Sequence, residues 1–323
     1  MKRYSKAVLA TFVAGLFTVV GATAAYPERP IRMIALNPPG GVSDTCARTI
    51  GEKLTERWGQ QIVVDNRVGA SGIIGSEIAA KAQPDGYTLL LGFIGNLSIN
   101  PGLFSKLPYD PQRDFAPISL VARSPIVVAA SLSLPVKSIR ELAALAKAQP
   151  KKIAYSSSGN GNGNHLATEL FSSMAGIELL HVPFRGGPPA LAAVIRGDTK
   201  LMFGNAVFTV PQVKAGRVRA IAVTTENRLP LLPEVPTIAE SGYPNYVVTT
   251  WFGVLTTAGT PPAIVKKLND EIVDILNDAE VKQRLDRAGL IPAPSSPGEF
   301  AALIKSETPR WTEVIQKTGA RVD

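Results

Sequence analysis

Short apolar runs alternate with segments of helical periodicity in the first part of the chain. Runs rich in Ile, Leu and Val, each flanked by Gly, Pro or Asn, lie at residues 31–36, 61–65 and 87–91. Residues 43–58 carry apolar side chains at helical spacing, and the glycine-rich segment 69–75 leads into a second helix that ends near Lys81. Strands separated by helices predict a parallel α/β sheet.

The same alternation returns further along the chain. Four more apolar runs predict strands at residues 152–156, 178–182, 199–203 and 217–224. Helical periodicity covers residues 165–175 and a segment that begins at Gly187. Two amphipathic helices, 262–276 and 297–317, are predicted near the C-terminus.

Two apolar stretches without a helical period, 117–133 and 247–257, join these α/β units. We therefore expect the chain to leave one lobe, build a second lobe and return by a second extended crossing. The expected lobes are residues 26–123 with 250–323, and residues 124–249. The predicted fold class is α/β, with two lobes around a central cleft, and a length of 323 residues is sufficient for two cores.

The first 25 residues have the pattern of a signal peptide. Lys2, Arg3 and Lys6 precede an uncharged stretch, residues 7–25, that ends in small side chains. We expect cleavage near Ala25 and an exported, soluble mature protein. An uncleaved anchor is the alternative, because the uncharged stretch is close to the length of a membrane-spanning helix.

The composition excludes several classes of site. One cysteine excludes a disulfide scaffold, and two histidines leave little basis for a zinc site, so we expect no metal and no cofactor. Cys46 lies beside the apolar face of a helix and is expected to be buried. The formal net charge of +8 comes from Lys and Arg scattered among acidic residues, which argues against a nucleic-acid partner.

Loops that follow predicted strands are the candidate binding elements, since ligands of open α/β sheets bind beyond the carboxyl ends of strands. These loops are residues 38–43, 69–72, 92–96, 156–164, 184–187 and 204–205. Most are rich in Gly, Ser, Asn and Pro, which lets backbone N–H groups approach an anion. The composition predicts a carboxylate held by neutral donors; the alternative is that these segments are only tight turns.

Two other functions are less consistent with the sequence. The segment 159–164 alternates Gly and Asn, but it lacks the G-x-G-x-x-G spacing and the acidic residue of a dinucleotide site. A hydrolase would need a nucleophile, a base and an orienting group, and a contact of Ser157 with His165 is the available combination. Without a G-x-S-x-G signature, the alternative is that His165 only hydrogen-bonds a ligand or a loop carbonyl.

Eight motifs together resemble those of the Bug family, the periplasmic solute receptors of tripartite tricarboxylate transporters. They are YPERPI at residues 26–31, NPPGGVSD at 37–44, DNRVGASG at 65–72, PDGYTL at 84–89, PYDPQRDF at 108–115, HVPFRG at 181–186, PEVPT at 233–237 and AGTP at 258–261. Each motif alone is weak, but their order and spacing cover the whole mature chain.

The resemblance implies a type II periplasmic-binding-protein fold, with two α/β lobes that are joined by two extended hinge crossings and close around a small organic acid. The acid could be a dicarboxylate, a tricarboxylate or an aromatic acid, and the partner would be a two-component inner-membrane permease. A sensor kinase is an alternative partner. The expected ligand-binding residues are Pro39, Gly40, Gly41, Ser43, Ala70, Gly72, Phe93, Asn96, Ser157, Gly159, Asn160, His165, Arg185, Gly186, Gly204, Asn205 and Phe208.

The chain departs from the family pattern near the expected cleft. Asn37 stands where the family usually has Phe, and Gly204 where it often has Asp. Phe93, Ile94 and Phe208 replace small residues of many members. Because an unpaired buried ammonium is costly, we expect plain carboxylic acids, including aromatic ones, to bind better than α-amino acids.

Overall fold

A computed structural model describes residues 26–319, so the predicted signal peptide lies outside the described residues. Ten strands are present in this part of the chain: β1 (Ile31–Ala35), β2 (Ile62–Asn66), β3 (Thr88–Phe93), β4 (Phe115–Ala130), β5 (Ala154–Ser157), β6 (Leu180–Pro183), β7 (Leu201–Asn205), β8 (Arg219–Val223), β9 (Thr249–Thr257) and β10 (Ile291–Pro292). The helices are α1 (Val42–Trp58), α2 (Ile73–Ala80), α3 (Asn100–Leu103), α4 (Ile139–Ala148), α5 (Gly163–Ala175), α6 (Gly187–Arg196), α7 (Ala206–Lys214), α8 (Pro262–Asn277), α9 (Ala279–Arg287) and α10 (Pro297–Thr318).

The strands form one mixed sheet in the order β2-β1-β3-β9-β4-β7-β5-β6, with β8 and β10 also paired to β4. β1 is parallel to β2 and β3, and β5 is parallel to β6 and β7. The predicted α/β class and the predicted parallel pairing of the first three strands are confirmed. Parallel strands place their carboxyl ends, and the loops that follow, on one edge of the sheet.

Two long antiparallel strands in the middle of the sheet connect the two parallel groups. β4 pairs with β9 from Phe115 to Pro125 and with β7 from Ile126 to Ala130. β9 lies between β3 and β4 and forms most of the second predicted crossing. The change of partner at Pro125 lies close to the expected boundary at residues 123–124, and the division into lobes stays a prediction.

Predicted helices and strands agree with the observed ones to within about two residues for most elements. The sequence patterns did not predict α3, α4, α7 and α9. α7 contains Pro211, begins directly after β7 and has little helical periodicity. α9 is amphipathic, with Val281 and Leu285 buried, but it is only nine residues long and begins two residues after the end of α8. None of the helices between residues 26 and 319 combines the length and apolar composition needed to cross a bilayer.

Candidate functional site

A cavity of about 250 Å³, which we call the main cavity, lies at the carboxyl ends of strands from both parallel groups. Two more open depressions, of about 290 and 610 Å³, lie away from these strand ends. The first wall, residues 36–42 and 68–72, follows β1 and β2, and the second wall, residues 158–164 and 184–187, follows β5 and β6. The lining residues are Leu36, Asn37, Val68, Gly69, Ala70, Ser71, Gly72, Phe93, Phe104, Ser158, Gly159, Asn160, Asn162, Phe184, Arg185 and Gly186. Small-molecule pockets usually measure roughly 300–1,000 Å³, so this cavity suits a small ligand.

A second, much smaller cavity of about 10 Å³ adjoins the main cavity. Both cavities are lined by Asn37, Phe93, Ser158 and Asn162. The remaining lining residues of the small cavity are Gly41, Val42, Asn164, Gly187, Asn205, Phe208 and Phe252. Its volume is close to the roughly 10–15 Å³ that a single water molecule needs.

The two walls contact each other across the cleft. The Ser71 hydroxyl on the first wall donates a hydrogen bond to the Asn160 carbonyl on the second. A Cβ at Gly186 would lie 2.6 Å from Cδ of Pro38. Only glycine fits there, because its neighbour across the cleft leaves no room for a side chain.

Three backbone amides of the loop after β1, residues 38–43, are already bonded within the protein. The Gly40 N–H donates to Oδ2 of Asp44 at 3.0 Å, and the Gly41 N–H donates to the Pro38 carbonyl at 2.9 Å. The Ser43 N–H donates to Oδ1 of Asn37 at 3.0 Å. These amides belong to the expected anion-binding loop, but protein acceptors occupy them.

Asp44 keeps this loop in position. Burial would raise the pKa of its carboxyl group, but hydrogen bonds from Arg48, Gly40 and Asn66 outweigh burial and lower that pKa below its usual value. Asn66 also donates to the Asn37 carbonyl at 2.8 Å. The loop is therefore held by an ionised side chain that does not line either cavity.

Other amides on the cleft remain free. Within residues 26–319, the backbone N–H groups of Ala70, Ser71, Asn160, Arg185 and Gly186 have no hydrogen-bond acceptor. All five residues line the main cavity. Ala70 and Ser71 have φ values of 43° and 54°, in the left-handed region that favours glycine. Such strain is often found at ligand sites, where it aims backbone groups at the ligand.

The electrostatic character of the cleft favours an anion. Arg185 is the one charged side chain among the residues that line the two cavities. The Arg185 side chain has no hydrogen-bond or ion-pair partner within the described chain, and the residue is exposed. Free N–H donors and one guanidinium, without a carboxylate, match an acid rather than an amine.

The contact of Ser157 with His165 that a hydrolase would need is not formed. The Ser157 hydroxyl lies 2.6 Å from Nε2 of His181, while Nδ1 of His165 accepts the Gly161 N–H at 3.1 Å. The two imidazole rings stack with centroids 4.0 Å apart. Sequence spacing could not show this arrangement, because β5 and β6 are brought together only by the sheet.

This histidine pair supports the second wall. Burial lowers the pKa of His165 to about 3, with a smaller contribution from His181, and burial lowers the pKa of His181 to about 4. Neither Ser157 nor either histidine lines the main cavity, and Nδ1 of His181 has no hydrogen-bond partner in the described chain. A Ser–His pair without an orienting third group does not form a catalytic triad.

Ten of the expected ligand-binding residues line one of the cavities: Gly41, Ala70, Gly72, Phe93, Gly159, Asn160, Arg185, Gly186, Asn205 and Phe208. Seven lie elsewhere: Pro39 and Gly40 are exposed, and Ser43, Asn96, Ser157, His165 and Gly204 are buried outside the lining. Asn96, for example, accepts the Phe93 N–H and donates to Ser76, so it supports the turn after β3.

Sequence reasoning missed several lining residues. Ser71, Ser158 and Asn162 lie within candidate loops. The sequence therefore predicted the segments that contain these residues, but not the residues themselves. Phe104 and Phe252 lie far from those loops in sequence, and no local signal marks them. Phe252 reaches the small cavity because β9 is inserted beside β3, where its ring lies 5.9 Å from that of Phe93.

Gly204 does not face the cleft, so restoring an acid there is expected to affect stability first. A Cβ at Gly204 would lie 2.4 Å from Oγ1 of Thr209 and 3.2 Å from Phe208. Gly204→Asp should lower the free energy of unfolding by about 3 kcal/mol or more, because it buries an unpaired carboxylate in a filled space. Thermal denaturation measures this loss. Gly298→Asp, where no atom lies within 4 Å, is the control; equal stability of the two variants would contradict the prediction.

Comparison with known protein sequences identifies the family. Residues 46–320 match the tripartite tricarboxylate transporter family receptor, TctC. A "UPF0065 protein in tcbD-tcbE intergenic region" of Pseudomonas sp. strain P51 is 41% identical over 90% of this chain and 87% of its own length. Protein BugT of Bordetella pertussis is 35% identical over 98% of both chains.

Solved structures show the same fold. Rpa4515 of R. palustris with adipate has a TM-score of 0.89 and 36% sequence identity, over 92% of this chain and 100% of that one. MatC (Rpa3494) from Rhodopseudomonas palustris with bound malate has a TM-score of 0.85 and 32% identity, over 90% of this chain and 100% of its own.

Proposed function

Because the chain belongs to the tripartite tricarboxylate transporter receptor family, we propose that it is a periplasmic receptor that binds a small organic carboxylate in the main cavity. The observation that carries this proposal is that free N–H groups, among them those of Ala70, Ser71, Asn160, Arg185 and Gly186, surround that cavity, with no acidic side chain in the lining. Structures of relatives with adipate and malate support a carboxylate as the ligand.

The anion would be held between the walls. Ala70 and Ser71 offer N–H groups from the first wall, and Asn160, Arg185 and Gly186 offer them from the second. An acid that bridges both sets stabilises the closed cleft, which is how a two-lobed receptor couples binding to closure. An α-amino acid would bring an ammonium group for which the lining provides no carboxylate, so plain acids are the expected ligands.

We further propose delivery of the acid to a permease, which membership of the family supports. The receptor would be exported by the signal peptide that ends near Ala25, bind its acid in the periplasm and present it to a two-component membrane partner. It would release the acid unchanged and would therefore act as a receptor and not as an enzyme. Incubation of the protein with each bound acid tests this point, since consumption of the acid would contradict it.

A thermal-shift screen of dicarboxylates, tricarboxylates, aromatic acids and matched α-amino acids, followed by calorimetric titration, tests the ligand class. A ligand at 100 times its dissociation constant should raise stability by about 2.7 kcal/mol. Stabilisation by amino acids but not by plain acids would overturn the proposal.

Arg185→Met should weaken the binding of the acid found in this screen about 2- to 5-fold and reduce its salt dependence, because an exposed guanidinium contributes modestly to anion binding. Arg196→Met is the matched control, since Arg196 lies at the other end of α6 and pairs with Asp198. Calorimetric titration at two salt concentrations gives both results. Equal affinities of the two variants would show that Arg185 does not contact the ligand.

A further inference from the structure

Side-chain amides of Asn37 and Asn205 line the small cavity, and their other hydrogen bonds determine which atom of each amide is left without a partner. Oδ1 of Asn37 accepts the Ser43 N–H at 3.0 Å, so its Nδ2 must point the other way. Within residues 26–319, this Nδ2 has no acceptor, although Asn37 lines both cavities. Asn37 is therefore an unpaired donor at the junction of the cavities.

Asn205 provides the opposite group. Its Nδ2 donates to Oγ of Ser124 at 3.0 Å and to Oγ1 of Thr250 at 2.6 Å. The Thr250 hydroxyl donates its own proton to the Ser124 carbonyl, so Oγ1 must accept from Asn205. Both N–H bonds of Asn205 are thus used, and its Oδ1 has no donor in the described chain. The residue Asn205 is 4% exposed and lines the small cavity, so its Oδ1 is an acceptor available to a group in that cavity.

Asn162 adds a third carboxamide to the same place. It is 7% exposed, it lines both cavities, and its side chain makes no hydrogen bond to residues 26–319. Buried amide groups without partners are costly, and they are usually satisfied by a ligand or an ordered water. Phe93, Phe208 and Phe252 provide the aromatic part of the lining, so a ligand in this cavity contacts both carboxamides and aromatic rings.

We propose that Asn37, Asn162 and Asn205 form a hydroxyl-recognition subsite, and that the preferred ligand is a carboxylic acid with a hydroxyl group on its carbon body. This inference rests on the proposed function, because the carboxylate must occupy the main cavity for a second group to reach the small one. A hydroxyl accepts from Nδ2 of Asn37 and donates to Oδ1 of Asn205, and Asn162 supplies a further donor or acceptor. A volume of about 10 Å³ admits one oxygen atom of this kind.

An ionised second carboxylate fits this place less well. It is larger than the cavity. It also has only acceptor oxygens, which would be repelled by the acceptor Oδ1 of Asn205. A methylene in the same position would leave Nδ2 of Asn37 and Oδ1 of Asn205 without hydrogen-bond partners. Sites that hydrogen-bond a hydroxyl of the ligand discriminate strongly against analogues that lack it.

The test compares matched acids by calorimetric titration of the full mature protein: propanoate with lactate, succinate with malate, and pyruvate as the ketone analogue of lactate. The hydroxylated member of at least one pair should bind about 10-fold or more tightly than its plain analogue. Pyruvate should fall between propanoate and lactate, because a ketone accepts a hydrogen bond but cannot donate one to Asn205.

The variants Asn37→Ala and Asn162→Ala should bring this ratio close to 1. Asn269→Ala is the control, because Asn269 donates to two backbone carbonyls outside the cleft, so its variant should lose stability but keep the ratio. If plain and hydroxylated acids bind the unmodified protein equally, the subsite is wrong and the carboxylate function stands. If none of these acids nor any acid of the wider screen binds, the proposed function fails, and this inference fails with it.

Discussion

Lowering the pH from about 7.5 to about 5 is expected to destabilise the folded protein by about 4 kcal/mol through His165 and His181. His165 is buried and His181 is half-buried, and both are neutral rings in the stack behind the second wall. In the unfolded chain each histidine binds a proton below about pH 6.5, whereas their folded pKa values of about 3 and about 4 keep the folded rings neutral at pH 5. The unfolded state therefore binds more protons, and stability falls as the pH falls.

Neighbouring groups change the size of this effect but not its sign. Burial raises the pKa of Glu169, whose Oε1 lies 4.0 Å from Nε2 of His165 and accepts a hydrogen bond from Tyr155. A raised carboxyl pKa adds stability as the pH falls, so Glu169 offsets part of the loss. Asp44 and Asp65 have lowered pKa values, and their contributions decline mainly below about pH 4, outside this range.

Thermal or urea denaturation at several pH values measures how the free energy of unfolding depends on pH. The double variant His165→Asn, His181→Gln keeps a hydrogen-bonding group near Nδ1 of His165 and Nε2 of His181 but cannot titrate in this range. It should lose most of the dependence between about pH 7.5 and about pH 5. A double variant with the same slope as the unmodified protein would show that other groups cause the acid sensitivity.

Gly186→Ala is expected to weaken carboxylate binding at least about 30-fold, or about 2 kcal/mol. The added Cβ would lie 2.6 Å from Cδ and 2.7 Å from Cγ of Pro38, so it would push the second wall away from the first. In addition, Gly186 has a φ of 112°, which an alanine rarely adopts. Both effects move the free N–H groups of Arg185 and Gly186 away from the ligand.

Gly197→Ala is a matched control at the other end of the same helix. Gly197 has a φ of 79°, but the nearest atom to its added Cβ is Oγ of Ser133 at 3.6 Å. This variant should lose stability through backbone strain, about 1 kcal/mol, and keep its affinity. Pro38→Ala removes Cγ and Cδ of the proline ring. When it is added to the Gly186→Ala variant, it should restore part of the lost carboxylate binding. Unchanged affinity in Gly186→Ala would contradict the closed geometry of the cleft.

The period of the apolar residues was enough to predict the α/β class and the position of most elements. Residues 31–36 and 43–58 have unambiguous strand and helix patterns because each buries one continuous set of side chains, and β1 and α1 lie there. The same local signals indicated the candidate loops, because Gly, Ser, Asn and Pro accumulate where a strand turns into a helix.

The hydrogen-bond partners inside the site depended on tertiary structure. From sequence spacing, His165 was the histidine considered as a partner for Ser157, whereas the parallel pairing of β5 with β6 places His181 against Ser157. Likewise, composition predicted free amides at Gly40 and Ser43, but Asp44 and Asn37 occupy them. A residue type shows which bonds a group can make. Which bonds it does make depends on the groups that the fold brings within about 3 Å, and sequence distance does not determine these.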